Sequence, residues 1–161
     1  MRFDSETFAV IMAVIVVASV FSVAQAIPRK RVPFDAIALL GPDCRFGDYP
    51  RFVVAGEPVT LCVFVANYLG RPAYMQVRVK LGSREALPTN TTPLNAPALL
   101  VLEGVLNDGG NFSRRVKLVL NETGVNIALV FELWRYDSER REWVYDGKWA
   151  HLYVNVTRVI P

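Results

Sequence analysis

No charged residue stands between Thr7 and Pro28, and Phe8–Ala26 reads FAVIMAVIVVASVFSVAQA. At helical rise this run spans about 28 Å, close to the ~30 Å hydrocarbon thickness of a bilayer. No other stretch of the chain approaches it. Two readings compete. Ala24-Gln25-Ala26 fits the small-x-small pattern of signal-peptide cleavage. Against cleavage, the opening MRFDSET sets Arg2 against Asp4 and Glu6, and the apolar core is longer than the usual ~7–15 residues. The favoured expectation is a transmembrane helix or uncleaved signal anchor over residues 1–27.

The rest of the 161 residues has room for one compact domain. Hydrophobic residues make up 52% and charged residues 20%, which excludes disorder. A net charge of +3, with no basic helix and no aromatic RNA-binding motif, gives no reason to expect nucleic acid. One His and two Cys exclude a zinc cluster.

Residues 28–33 read as a basic, proline-containing linker. Pro28 and Pro33 stop the helix, and Arg29, Lys30 and Arg31 would sit near lipid headgroups or serve as a solvated stop. By the positive-inside rule these charges would hold the following domain in the cytoplasm. Three features oppose that orientation. Four glycosylation sequons begin at Asn90, Asn111, Asn121 and Asn155, where about 0.65 would arise by chance from this composition. They fall on turns or outward strand positions. Cys44 and Cys62 form a candidate disulfide suited to an oxidising compartment. The expected location is therefore the cell membrane, single-pass, with the C-terminal domain extracytoplasmic.

From Phe34 to Pro161 the pattern is that of strands. In Tyr74–Leu81, Met75, Val77, Val79 and Leu81 alternate with Tyr74, Gln76, Arg78 and Lys80, which predicts one buried and one wet face. Phe112–Leu120 and Ala150–Val156 alternate likewise, the latter turning His151, Tyr153 and Asn155 outward. Val59–Tyr68 is apolar on both faces, as in a central strand, and Val125–Tyr136 reads as a long one. Turn signals lie at 69–72, 107–110, 121–124 and 137–140. Leu81–Pro97, with three prolines, is the one long irregular stretch. These features predict an all-β, immunoglobulin-like β-sandwich of seven to nine strands over residues 34–161, with a β-barrel as the alternative. A Cys44–Cys62 bridge would add roughly 3 kcal/mol through loop closure; two buried thiols are the alternative.

No catalytic constellation emerges. The sequence holds no G-x-S-x-G, no phosphate-binding glycine loop and no H-E-x-x-H. His151 is the only imidazole and sits in an alternating strand. Glu132 reads as a solvated carboxylate or a cross-strand partner of Lys or Arg. Asp43, Asp48 and Glu57 lack calcium-loop spacing. Aromatic residues do cluster: Trp134, Tyr136, Trp143, Tyr145, Trp149 and Tyr153 lie within twenty residues. Trp134, Trp143, Tyr145 and Trp149 could offer a surface for sugar rings or a protein. The plainer reading places them in the core or in cross-strand pairs.

Leu40-Gly41-Pro42, Asp48-Tyr49-Pro50, Gly56-Glu57 and the strand ending Val65-Ala66-Asn67 occur in that order. With Asn121-Glu122-Thr123-Gly124, Phe131-Glu132-Leu133 and the closing His151–Val156, they resemble the archaeal membrane-protein domain of unknown function number 1616 over residues 34 to 157. The resemblance implies an envelope protein with an extracytoplasmic β-domain and no established activity, and it carries over no catalytic residue. Many members have several hydrophobic segments where this chain has one.

The expectation is a non-enzymatic, membrane-anchored envelope protein, without cofactor or metal. Its partners would be lipid around the helix and a protein in the envelope or a membrane complex; no small-molecule ligand is expected. Two alternatives remain. One is a secreted or filament subunit, cleaved after Ala26, whose freed IPRKRVPFDAIALL segment adds to a neighbour's sheet. The other is a carbohydrate-binding module using the exposed Trp and Tyr side chains.

Overall fold

The structure is a computed structural model and describes residues 4–27 and 32–159. The chain divides into two compact units, Met1–Val32 and Pro33–Pro161. The linker charges Arg29, Lys30 and Arg31, with Pro28 and Arg2, lie outside the described residues.

The first unit is helix α1, Ser5–Ala26, with no buried residue. It is long and apolar enough to cross a membrane, a test that an N-terminal signal sequence also passes. Two of its serines, Ser19 and Ser22, spend their hydroxyls internally. Ser19 Oγ donates to the Ile15 carbonyl at 2.7 Å and Ser22 Oγ to the Ala18 carbonyl at 2.8 Å. Such back-bonding hides polar groups from an apolar solvent.

The second unit is a two-sheet sandwich of eight strands. They are β1 (Phe34–Leu40), β2 (Phe52–Val54), β3 (Pro58–Tyr68), β4 (Ala73–Gly82), β5 (Ala98–Leu106), β6 (Asn111–Val119), β7 (Gly124–Asp137) and β8 (Glu142–Thr157). One sheet has the order β1-β3-β6 and the other β2-β8-β7-β4-β5. All pairs are antiparallel except β2 with β8. This is the immunoglobulin-like arrangement: two facing sheets, with the strands at the chain's start shared between them. Two separate sheets dispose of the barrel.

The core is what the alternation demands. Met75, Val77 and Val79 of β4 and Leu129, Phe131 and Leu133 of β7 meet Leu61, Val63 and Val65 of β3, all fully buried. Central β3 is flanked by β1 and β6, which is why its sequence is apolar on both faces. The segment offered above as a donor strand is already used, because Phe34–Leu40 pairs with Cys62–Tyr68 of its own β3.

Several residues of the short motifs turn out to hold loops. A Cβ on Gly41 would lie 2.3 Å from the Gly47 carbonyl oxygen, so only glycine fits there. Tyr49 Oη donates to the Leu39 carbonyl at 2.9 Å. Asn67, fully buried, donates through Nδ2 to the carbonyls of Arg71 and Leu106 at 2.8 and 2.9 Å. Its Oδ1 accepts the Leu69 N–H at 3.0 Å. One amide thus ties the β3–β4 turn to the end of β5.

Candidate functional site

The outer face of the five-stranded sheet departs from the wet face that the β4 pattern predicts. Residues 83–97, between β4 and β5, fold back over it. Leu94, with Ala128 and Val130 beneath, forms a second small core. Beside it lies a buried ion pair: Lys80 Nζ stands 3.0 Å from Glu132 Oε2, with side chains 8% and 0% exposed. Glu132 accepts the Leu94 N–H at 2.5 Å and the Trp134 Nε1–H at 3.1 Å, and Lys80 donates to the Leu94 carbonyl at 2.7 Å. Glu132 is therefore a cross-strand partner of lysine and not solvated. Tyr145 Oη donates to the Thr89 carbonyl at 2.8 Å, and burial, followed by the Glu132 and Asp146 charges, pushes its phenol up to about 12. These contacts clamp the long loop at two points.

The aromatic residues lie on this same outer face, half-buried apart from the exposed Tyr136, and not in the core between the sheets. Trp134 pairs with Tyr145 across β7 and β8, ring centroids 5.5 Å apart, and Tyr136 with Trp143 at 5.4 Å. Tyr74 of β4 closes on Trp143 at 4.7 Å. The Arg78 guanidinium covers Trp134, 3.8 Å from the ring centroid. Farther along β8, Trp149, His151 and Tyr153 follow in a row, the first pair tilted at 5.1 Å and the second edge-on at 4.9 Å. His151 is exposed, as its strand position predicts.

Cys44 and Cys62 are joined in a disulfide, with Cα atoms 5.1 Å apart. Asn90, Asn111 and Asn121 are exposed. Asn155 departs from the accessible position expected of it: it is half-buried and its Oδ1 accepts the Asn126 N–H at 2.9 Å. The cause is the register shift in β7 after Gly124, which turns Asn126 into positive φ and aims its amide at Asn155.

Strand β5 is a free edge of the five-stranded sheet. Leu99, Val101 and Val105 are exposed on it, 44–68% of their surface open. One guard is present: Arg114 of β6 donates to the Glu103 carbonyl at 3.1 Å.

A second charged cluster, absent from the sequence reading, plugs one end of the space between the sheets. Asp35 continues the inward row of β1, Arg135 that of β7, and Lys148 that of β8. Lys148 is set there by a bulge: Glu132 pairs with Trp149 but Trp134 pairs with Tyr145. Lys148 Nζ contacts both Asp35 Oδ1 and Asp146 Oδ2. Arg135 stands 3.6 Å from Asp35 and 3.4 Å from Asp146. The two carboxylate side chains are 0% and 4% exposed, and Asp35 Oδ2 has no hydrogen-bond partner. Burial, with Asp35 beside it, holds the Asp146 carboxyl above the usual range despite Lys148. Burial also works against the Lys148 charge, but the two carboxylates outweigh it and raise that pKa. No sequence signal marks this cluster beyond charges interrupting apolar runs. Among the described residues no three His, Cys, Asp or Glu side chains converge as metal ligands would.

Neither a scan of protein-family models nor a search of curated proteins finds a match. Similar solved structures include a CARDB domain from Pyrococcus furiosus, solved in complex with di-metal ions, at 13% identity and TM-score 0.49. That match covers 78% of this chain and 89% of the other. A β-glucosidase from Listeria innocua matches at 11% identity and TM-score 0.48, over 81% of this chain but only 17% of the enzyme. The PmoD soluble domain from Methylocystis matches at 17% identity and TM-score 0.39, over 79% and 94% of the two chains. None of these likenesses assigns an activity, ligand or partner to this chain.

Proposed function

We propose that this chain is a non-enzymatic, single-pass protein of the cell envelope. Its helix stays in the membrane, and its β-sandwich stands outside the cytoplasm as a docking surface for an envelope protein. One observation carries the reading: a helix of 22 residues has no buried side chain and belongs in lipid, where that apolar surface costs nothing. The disulfide and the exposed Asn90, Asn111 and Asn121 fit an oxidising, glycosylating side. The resemblance to domain of unknown function 1616 is part of the same proposal.

A docking role is favoured over a sugar platform because Trp134 and Trp143 spend their ring contacts on Arg78, Tyr74 and Tyr145. The β5 edge, by contrast, leaves Val101 and Val105 open and can take an added strand. The test is protease added to intact native cells, with an antibody to the C-terminus. We expect the full chain to resist a high-pH wash of membranes, and the sandwich to be trimmed without lysis. Release by the wash, or trimming only after lysis, would refute the proposal.

A further inference from the structure

We propose that Lys148 and Asp35 condense spontaneously into an amide that joins the last strand of the sandwich to the first. The geometry supplies each part of that reaction. The Lys148 amine contacts the Asp35 carboxylate and a second acid, Asp146, at once. Both carboxylates lie in the interior, and β1 and β8 belong to different sheets with no ladder between them, so the side chains are the link there. Folding therefore sets nucleophile against acyl group, with the Lys148 side chain 42% exposed and both carboxylates buried. Such pre-orientation gives effective concentrations of about 10⁵–10⁸ M in well-aligned intramolecular reactions and lowers the barrier to attack accordingly.

The atoms balance without any co-reactant. Although the two carboxylates favour its ammonium form, Lys148 gives a proton to Asp146 Oδ2, which it touches, and the freed amine attacks Asp35 Cγ. Arg135, beside Asp35 Oδ2 at 3.6 Å, offsets the charge that builds on oxygen. Asp146 then returns that proton to the departing oxygen, and a second proton passes from the attacking nitrogen to the same oxygen by the same route. Its pKa, raised chiefly by burial, suits a group that must hold and release a proton. Of the three ammonium protons one stays on the amide nitrogen and two leave with a carboxylate oxygen as water. The N–Cγ bond forms, one Cγ–O bond breaks, and nothing is oxidised or reduced.

The product also relieves the ionic form. Asp35 exchanges a buried charge for a neutral amide carbonyl, so its Oδ2, which lacks a hydrogen-bond partner, costs less than it does in a carboxylate. One positive and one negative charge vanish, which leaves Asp146 and Arg135 as a matched pair 3.4 Å apart.

The test is the intact mass of the full chain, made without glycosylation, purified in detergent and reduced. The expected mass is lower than the sequence mass by one water, and a protease digest yields a branched peptide containing both Asp35 and Lys148. Asp35→Asn should condense with loss of ammonia and arrive at the same mass as the wild type, a coincidence an ion pair does not produce. Lys148→Arg should keep its full mass while conserving charge. Asp146→Ala should also keep its full mass, and a condensed Asp146→Ala chain would overturn that residue's role. A wild-type chain at full mass, with Lys148 recovered as a free amine in a linear peptide, would overturn the proposal.

Discussion

At the residue scale, the buried polar groups that matter most are those with several partners. Asn67 is fully buried and satisfies the carbonyls of Arg71 and Leu106 and the Leu69 amide. Replacing it by alanine leaves these groups without partners, at about 1–3 kcal/mol for each one that water cannot reach. Asn67→Ala should therefore lower unfolding free energy by roughly 3 kcal/mol in urea denaturation. Tyr145 makes a different prediction. Its phenol holds its proton up to about 12, against 10.0 for the unfolded group. The unfolded chain ionises first as pH rises, so this group's contribution is complete below 10 and is lost as pH climbs to about 12. The denaturation midpoint should fall across that window, and less steeply in Tyr145→Phe. Glu132 shows where residue-level reading stops. Its strand position separates it from the apolar row between the sheets, but only the fold brings Leu94 down upon it. Period two reports which side of a strand a residue takes, not what covers that side.

At the element scale, the long β4–β5 connection is held by few contacts of high value. Glu132 is the hub, accepting from Leu94, Trp134 and Lys80. Removing one partner of a buried ion pair strands the other, a loss of about 3–5 kcal/mol. Glu132→Ala should lose stability of that order and expose residues 83–97 to protease and hydrogen exchange before the rest of the sandwich. The contrast among strands explains what the sequence could and could not disclose. Strands β3, β4, β6 and β7, and the second half of β8, have an alternating or doubly apolar pattern of useful length. β5, ALLVLEGVL, is apolar on its exposed face as well, so alternation is lost. β2 has three residues, too few for any period. The first half of β8 is broken by the bulge and by Gly147, whose positive φ and approach to Asn90 only the assembled loop explains. The charged end-plug was invisible for a related reason: Asp35 and Lys148 stand 113 residues apart, and their meeting follows from strand order alone.

At the scale of the whole molecule, stability and location separate cleanly. The disulfide pins the β1–β2 loop to central β3 across a sequence separation of 18, and loop closure of that length contributes about 3 kcal/mol. Cys44→Ala with Cys62→Ala should lower unfolding free energy by about that amount, and a reducing agent should do the same to the wild type. Every residue of the main core lies at or beyond Leu39, and α1 buries none of its own side chains. A chain begun at Pro33 keeps β1, the disulfide and both sheets, and discards the apolar helix. It should be monodisperse in detergent-free buffer, with the same urea midpoint as the full chain in mild detergent. Loss of sandwich stability on removing residues 1–32 would mean that the helix serves the fold. An unchanged midpoint would make helix and sandwich independent modules, each dictated by its own stretch of sequence.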